Sequence, residues 1–283
     1  MKNKIILVLI CILITSSASV ASKPIFLSQK NKATLTLSDD LPTWNEGDSW
    51  TYTISDFTLN RSFSGSKIYI DGKIDDLKWI VRDTSGSTYK VDFTGKLNAN
   101  YEIHLSSSIT LDVSGTFKPA LTRLVGSIYF TKSNLEISDA ILRITGITLA
   151  KISPLPIPIP IPFKLIFDVD FNKGFPLFDF PLEAKYWNLV FFEAKTSVNA
   201  GGIFGFIQNS VNFESEYLWI PFECEDKQEV SVKAGTFSSY RILPALGNFF
   251  EYYYAPSVEN LIKVNIDIYT AKVSGELKST NKL

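Results

Sequence analysis

From Trp44 onward, apolar and polar residues alternate with a period of two. Tyr89, Val91 and Phe93 interleave with Lys90, Asp92 and Thr94, and Ile109, Leu111 and Val113 with Thr110, Asp112 and Ser114. Val211, Phe213, Tyr217 and Trp219 hold one parity against Asn212, Glu214 and Glu216, and Val264, Ile266 and Ile268 interleave with Lys263, Asn265 and Asp267. Successive side chains of a strand point to opposite faces, so this pattern predicts strands with one buried and one wet face. Such strands suit antiparallel sheets. No segment keeps a 3.6-residue period with caps over three turns. Residues 138–150 are the most ambiguous stretch: their Ile and Thr content favours a strand, with a short helix as the alternative. Asp71-Gly72, Ser85-Gly86-Ser87, Ala234-Gly235 and Ala255-Pro256-Ser257 supply turn signals between the runs. The expected fold is all-β: a strongly curved antiparallel sheet in the manner of a half-barrel, or two packed antiparallel sheets.

The N-terminus reads differently. Lys2 and Lys4 precede an uninterrupted apolar run over residues 5–14, followed by small residues ending in Ser19-Val20-Ala21. That is the layout of a secretory signal peptide cleaved after Ala21, with an apolar run too short for a spanning helix. Residues 22–43 read as a linker or lead-in and 44–279 as a single β domain. Glu46 and Trp50 share their spacing with Glu183 and Trp187, which suggests two repeat-like halves, 44–152 and 163–279, joined by a Pro-rich segment, 153–162. Two smaller β-sandwich domains meeting near that segment are the alternative arrangement. The expected location is secreted or at the cell surface, with no transmembrane span in the mature chain.

Charge removes one class of function. Without Lys2 and Lys4, 26 basic side chains face 29 acidic ones. A near-neutral, slightly acidic chain with no basic run offers no footprint for nucleic acid. Cys11 leaves with the signal, so Cys224 is alone and no intrachain disulfide can form. Glu223, Glu225 and Asp226 beside it disfavour a thiolate nucleophile.

Candidate chemistry is sparse. His104 is the single histidine, within an ordinary strand pattern, so schemes needing two are excluded. Carboxylates are plentiful, but no local motif marks out a catalytic pair. No catalytic residue and no cofactor is expected. Asp168, Asp170 and Asn172, with Asp179 at the twelfth position, have the ligand parity of a calcium loop. Lys173, however, occupies the place of the required Gly, and Phe167, Val169 and Phe171 give the alternation of a strand. Asn60-Arg61-Ser62 is an N-glycosylation sequon, expected in a loop between two strands. The Pro-rich segment carries Leu155, Ile157, Ile159 and Ile161 between prolines, which excludes a central strand and predicts an edge, crossover or loop whose apolar residues pack on something. Phe249-Phe250-Glu251-Tyr252-Tyr253-Tyr254 is an aromatic strand suited to core packing or to a ligand wall. If an apolar ligand is bound, Tyr252, Tyr254, Phe250, Trp50, Trp187, Ile157 and Ile159 are the candidate contacts.

Four phrases resemble a pattern in uncharacterised secreted β-rich proteins of archaea and some bacteria: NEGDSWTYT (45–53), GFPLFDFPLEAKYW (174–187), VSVKAGTFSSYRI (230–242) and YYYAPSVENLIKV (252–264). The chain departs from it at Ala184 and at Glu259, where Gly is usual, which bears on turn geometry. The pattern is also similar to half-barrel carriers of the LolA and LppX kind, which implies lipid held in an apolar concavity. Three functions follow as expectations. The first is a secreted non-enzymatic β module binding lipid or another apolar ligand. The second is a cell-surface structural or protein-interaction domain with no small ligand. The third, more remote, is a carboxylate-based hydrolase.

Overall fold

The computed structural model describes residues 41–282 except 64–65, 107–109, 154, 156, 179, 181, 183–185, 206–215, 245–248 and 269; for much of 186–196 and 216–221 it describes the backbone alone. Its fourteen strands are β1 (Ser49–Phe63), β2 (Ser66–Asp83), β3 (Thr88–Ser106), β4 (Thr110–Phe117), β5 (Thr122–Thr131), β6 (Ile137–Ile152), β7 (Ile159–Phe175), β8 (Tyr186–Gly202), β9 (Glu216–Cys224), β10 (Gln228–Val232), β11 (Gly235–Pro244), β12 (Phe250–Ala255), β13 (Asn260–Ile268) and β14 (Ala271–Thr280). The protein is all-β, and every strand pairing among the described residues is antiparallel.

The sheet closes on itself. The order runs β11-β12-β13-β14-β1-β2-β3-β4-β6-β7-β8-β9, and β9 returns to β11 through Ile242↔Cys224. β4 and β5 fill one slot in succession. β4 pairs with residues 99–106 of β3, and β5 with residues 88–95 of the same strand. β10 lies outside the ring as a hairpin on β11. The sheet is thus continuous through both sequence halves, and β1 pairs with β14 to join the beginning of the domain to its end.

The period-two pattern explains which face turns inward. In β3, Tyr89, Val91, Leu97, Ala99, Tyr101 and Ile103 are buried, while Glu102 and His104, on the alternate parity, are exposed. Among the described residues, the outer parity of β2, β3 and β7 carries Lys, Asp and Glu. Among the described residues no helix is long and apolar enough to cross a membrane. One aromatic cluster packs Trp44 against Trp50, Tyr89 and Phe130, with ring centroids 5.1–5.4 Å apart. A second joins Tyr101, Phe117, Phe163 and Phe204. After β7 the chain turns Leu177, Phe178, Phe180 and Leu182 into the core, where Phe178 and Phe180 meet Tyr254.

The turn signals at Ser85-Gly86, Ala234-Gly235 and Ala255-Pro256 sit at hairpins, as expected. Asp71-Gly72 does not. Gly72 lies inside β2 opposite Ala99, and a Cβ there would collide with the backbone of Asn98 and Ala99. This glycine permits close strand approach, not reversal. At the 256–259 turn, Glu259 adopts φ 57° without being glycine. Its carbonyl accepts from Trp44 Nε1 at 3.1 Å, and its carboxylate pairs with Lys282 Nζ at 2.8 Å. Trp50 Nε1 donates to the carbonyl of neighbouring Val258 at 2.9 Å, so two indoles pin this turn to the start of the domain. The prolines of β7 also find an edge: Pro160 and Pro162 pair with β6, whereas the ladder to β8 begins only at Phe163. Their missing donors therefore interrupt no second ladder.

Two outcomes test this packing. Trp50→Phe leaves the buried Val258 carbonyl without its donor and should cost at least about 1–3 kcal/mol in urea unfolding. Asp76, at a bulge of β2, accepts from Lys278 and Lys96 at 2.6 and 2.7 Å. Those hydrogen bonds lower its carboxyl from the usual 3.8 to about 2. A depressed carboxylate contributes stability above its unfolded value and loses it as pH falls through the folded one. Asp76→Asn should therefore flatten the loss of stability between pH 3.8 and about 2 in acid titrations.

Candidate functional site

A groove of about 890 Å³ opens on the outer face of β1–β4 and β6. It arises from register. Asn60 lies opposite Tyr69, Tyr69 opposite Glu102, Glu102 opposite Ser114 and Ser114 opposite Lys151. One transverse row of five side chains therefore crosses five strands on a single face. Beside it runs a second row, Lys67 opposite His104 and His104 opposite Asp112, extended by Ser153, whose N–H donates to the Asp112 carbonyl at 3.0 Å. Ile68, Ile103 and Val113, on the opposite parity between the rows, are 2–3% exposed and anchor the floor to the core. With strands about 4.8 Å apart, five of them give a row roughly 19 Å long.

The floor is held rigid from below. Tyr101 lies under the groove at 1% exposure, and Thr148 Oγ1 donates to its hydroxyl oxygen at 3.1 Å. Gly115 leaves the space its ring occupies, because a Cβ there would meet the Tyr101 hydroxyl. Burial raises the Tyr101 phenol above its ordinary range, so the group is a neutral structural hydroxyl.

Side-chain chemistry in the groove is mixed. Lys67 and Lys151 balance Glu102 and Asp112. His104 Nδ1 lies 2.6 Å from Asp112 Oδ1, with the two side chains 46% and 65% exposed. Tyr69, 38% exposed, presents the one phenol ring among the described lining residues, and Leu155, 45% exposed, lies at one end. Two residues beyond, Ile157 is 66% exposed, and Leu149 and Ile147 of β6 are also exposed, all three outside the lining.

The aromatic candidates from the sequence lie elsewhere. Phe250, Tyr252, Tyr254 and Trp50 are 0–3% exposed inside the ring. The Tyr252 hydroxyl donates to the Leu177 carbonyl, and Phe250 packs on Phe222 with centroids 5.8 Å apart. Trp187 is placed on β8 opposite Glu223, with its side chain outside the described residues. Ile159 is half-buried at the start of β7, opposite Ala150. Of the calcium candidates, Asp168, Asp170 and Asn172 lie along extended β7, exposed on its outer face, and Asp179 is outside the described residues. A straight strand does not wrap its ligands around one ion as a calcium loop does. Among the described residues, no group of three or more His, Cys, Asp and Glu side chains converges. Cys224 is 6% exposed, its thiol 3.8 Å from the Glu225 carbonyl.

Asn60 is a correction of place. Expected in a loop, it lies within β1, its N–H donating to Thr270 O at 2.9 Å and its side chain exposed in the groove. Tyr69, Glu102, His104 and Asp112 were not gathered by sequence reading, because each is an ordinary wet-face residue of its own strand. Only the ladder register brings them together. A second polar cluster, Arg241 with Glu251 and Glu225, is internally satisfied. Arg241 Nη2 donates to Glu251 at 2.6 Å and Asn265 Nδ2 to the other Glu251 oxygen at 2.8 Å. Burial alone raises Glu251, but these donors outweigh it and hold the carboxyl below its ordinary range. This cluster reads as a structural staple across β11–β13.

Comparison of the chain with protein-family models, with curated proteins and with solved structures finds no match.

The groove residues should be separable from the fold. Tyr69→Ala and His104→Ala are expected to change unfolding stability by no more than about 1 kcal/mol, as at wet strand positions. Tyr101→Ala, directly beneath, should cost about 3–5 kcal/mol. Equilibrium denaturation of the three variants measures the contrast.

Proposed function

We propose that this chain is a secreted, non-enzymatic β module that acts by binding through its outer face, at the groove between β1 and β6. The observation that carries the reading is the contrast between two surfaces. The interior aromatic residues are sealed by their neighbours, with Trp50, Phe250, Tyr252 and Tyr254 at 3% exposure or less. The polar rows led by Asn60, Tyr69 and Lys67 stand open to solvent on a rigid floor. A lipid carrier of the half-barrel kind needs apolar walls facing free space, and these aromatic rings face one another instead.

Chemistry in the groove supports binding over catalysis. The His104–Asp112 pair is roughly half exposed. Water screens such a pair, whereas catalytic dyads work in dry, low-dielectric sites. The signal-like N-terminus supports an extracytoplasmic location.

Native mass spectrometry of the mature protein, purified from a lipid-rich host, tests the reading against the carrier alternative. The expected mass is that of the polypeptide after removal of residues 1–21, with any glycan at Asn60. A stoichiometric lipid released by organic extraction contradicts the proposal. In parallel, Lys67→Glu/Lys151→Glu should abolish retention of the protein on the cell envelope of its producing organism. Unchanged retention places the binding surface elsewhere.

A further inference from the structure

Resting on the groove reading above, we infer that the groove takes a neutral oligosaccharide. The chemistry of the two rows selects it. A sugar ring presents hydroxyl groups that both donate and accept, and it carries an apolar C–H face. The groove supplies donors from Lys67 and Lys151, acceptors from Glu102 and Asp112, and groups of both kinds from Asn60, Ser114 and Ser153. Tyr69, exposed and fixed on a central strand of the floor, supplies an apolar ring with a polar tip against which a C–H face can lie.

The same lining disfavours other ligand classes. An apolar chain would desolvate two ammonium and two carboxylate groups with nothing to replace their water. A phosphate or polyanion would meet Glu102 and Asp112 among its contacts. A peptide strand adds to a sheet at an edge, and along the row from Asn60 to Lys151 β1, β2, β3, β4 and β6 are joined side by side. A row of roughly 19 Å suits a short run of linked sugar rings lying across the strands.

The test uses the full mature chain made in a host that does not N-glycosylate, so that Asn60 is bare. Affinity electrophoresis and calorimetry against β-1,3-glucan, mannan, xylan and cellulose-derived oligosaccharides provide neutral probes, with alginate and heparin as polyanionic comparisons. At least one neutral saccharide should bind. Tyr69→Ala and Glu102→Gln should each weaken it about tenfold or more, as expected for a residue central to a binding site. Tyr69→Phe should keep most of the affinity, and Tyr129→Ala, on the outer face away from the groove, should keep all of it. Far-UV circular dichroism confirms that each variant is folded. Binding to no neutral saccharide, wild-type affinity in Tyr69→Ala, or a clear preference for alginate or heparin overturns the inference. If no saccharide binds but envelope retention still depends on Lys67 and Lys151, the saccharide is overturned and the groove reading stands. If neither depends on the groove, both fall.

Discussion

Closure of the ladder is the constraint on which the rest of this structure depends. Once β9 pairs with β11 and β14 with β1, each strand of the ring has hydrogen-bonded neighbours on both sides. Its only freedom is which parity of side chains faces inward. A shift of one residue in any pairing would move a whole apolar set to water, so register and core specify each other. Interior residues such as Trp44, Trp50, Tyr101 and Tyr254 are consequently held by many strands at once, and the hairpin turns inherit their positions. Glu259 illustrates this. A non-glycine residue is held at φ 57° because two indoles and Lys282 fix its surroundings.

The same constraint places chemistry on the outside. With apolar side chains directed inward, polar residues of successive strands line up in transverse rows. Most such rows on a curved sheet are convex and fully wetted. Where β4 and β6 bring Asp112, Ser114 and Lys151 beside β2 and β3, the rows instead line a groove, with Leu155 at one end. The floor beneath it has little freedom to rearrange, since Tyr101, Thr148 and Gly115 interlock directly below. Pre-organised polar groups lose less on binding than mobile ones, which suits the recognition proposed for this face.

Much of the fold was legible in the sequence because strand parity is a local property. The alternations at 89–93 and 263–268 lie in β3 and β13 with the expected faces buried. Pro160 and Pro162, from a segment read as incompatible with a central strand, are accommodated where β7 has a single neighbour. Gly72 misled as a turn because Asp-Gly is ambiguous between reversal and close strand approach, and only the position of Ala99 on the partner strand decides. Asn60 misled in the same way: a sequon says what can be modified and not how the chain runs. The candidate site was not legible as a site, although Asn60, His104 and Leu155 each drew attention singly. Asn60, Tyr69, Glu102 and Lys151 come from residues up to 91 apart in sequence, and no local pattern announces that they share a row. The aromatic run at 249–254 drew attention for its composition, yet its apolar mass serves the interior.

The central claim is that this protein meets its ligand on the outer face of β1–β6 and not inside the ring. Side-chain footprinting by lysine acetylation and tyrosine oxidation, on the free protein and on the protein bound to its host's cell envelope, tests it most directly. The account predicts that Lys67, Lys151 and Tyr69 become protected on binding while Tyr252 and Tyr254 stay unreactive in both states. Unchanged labelling of Lys67 and Tyr69, together with a change at Tyr252 or Tyr254, would contradict it and return attention to the interior.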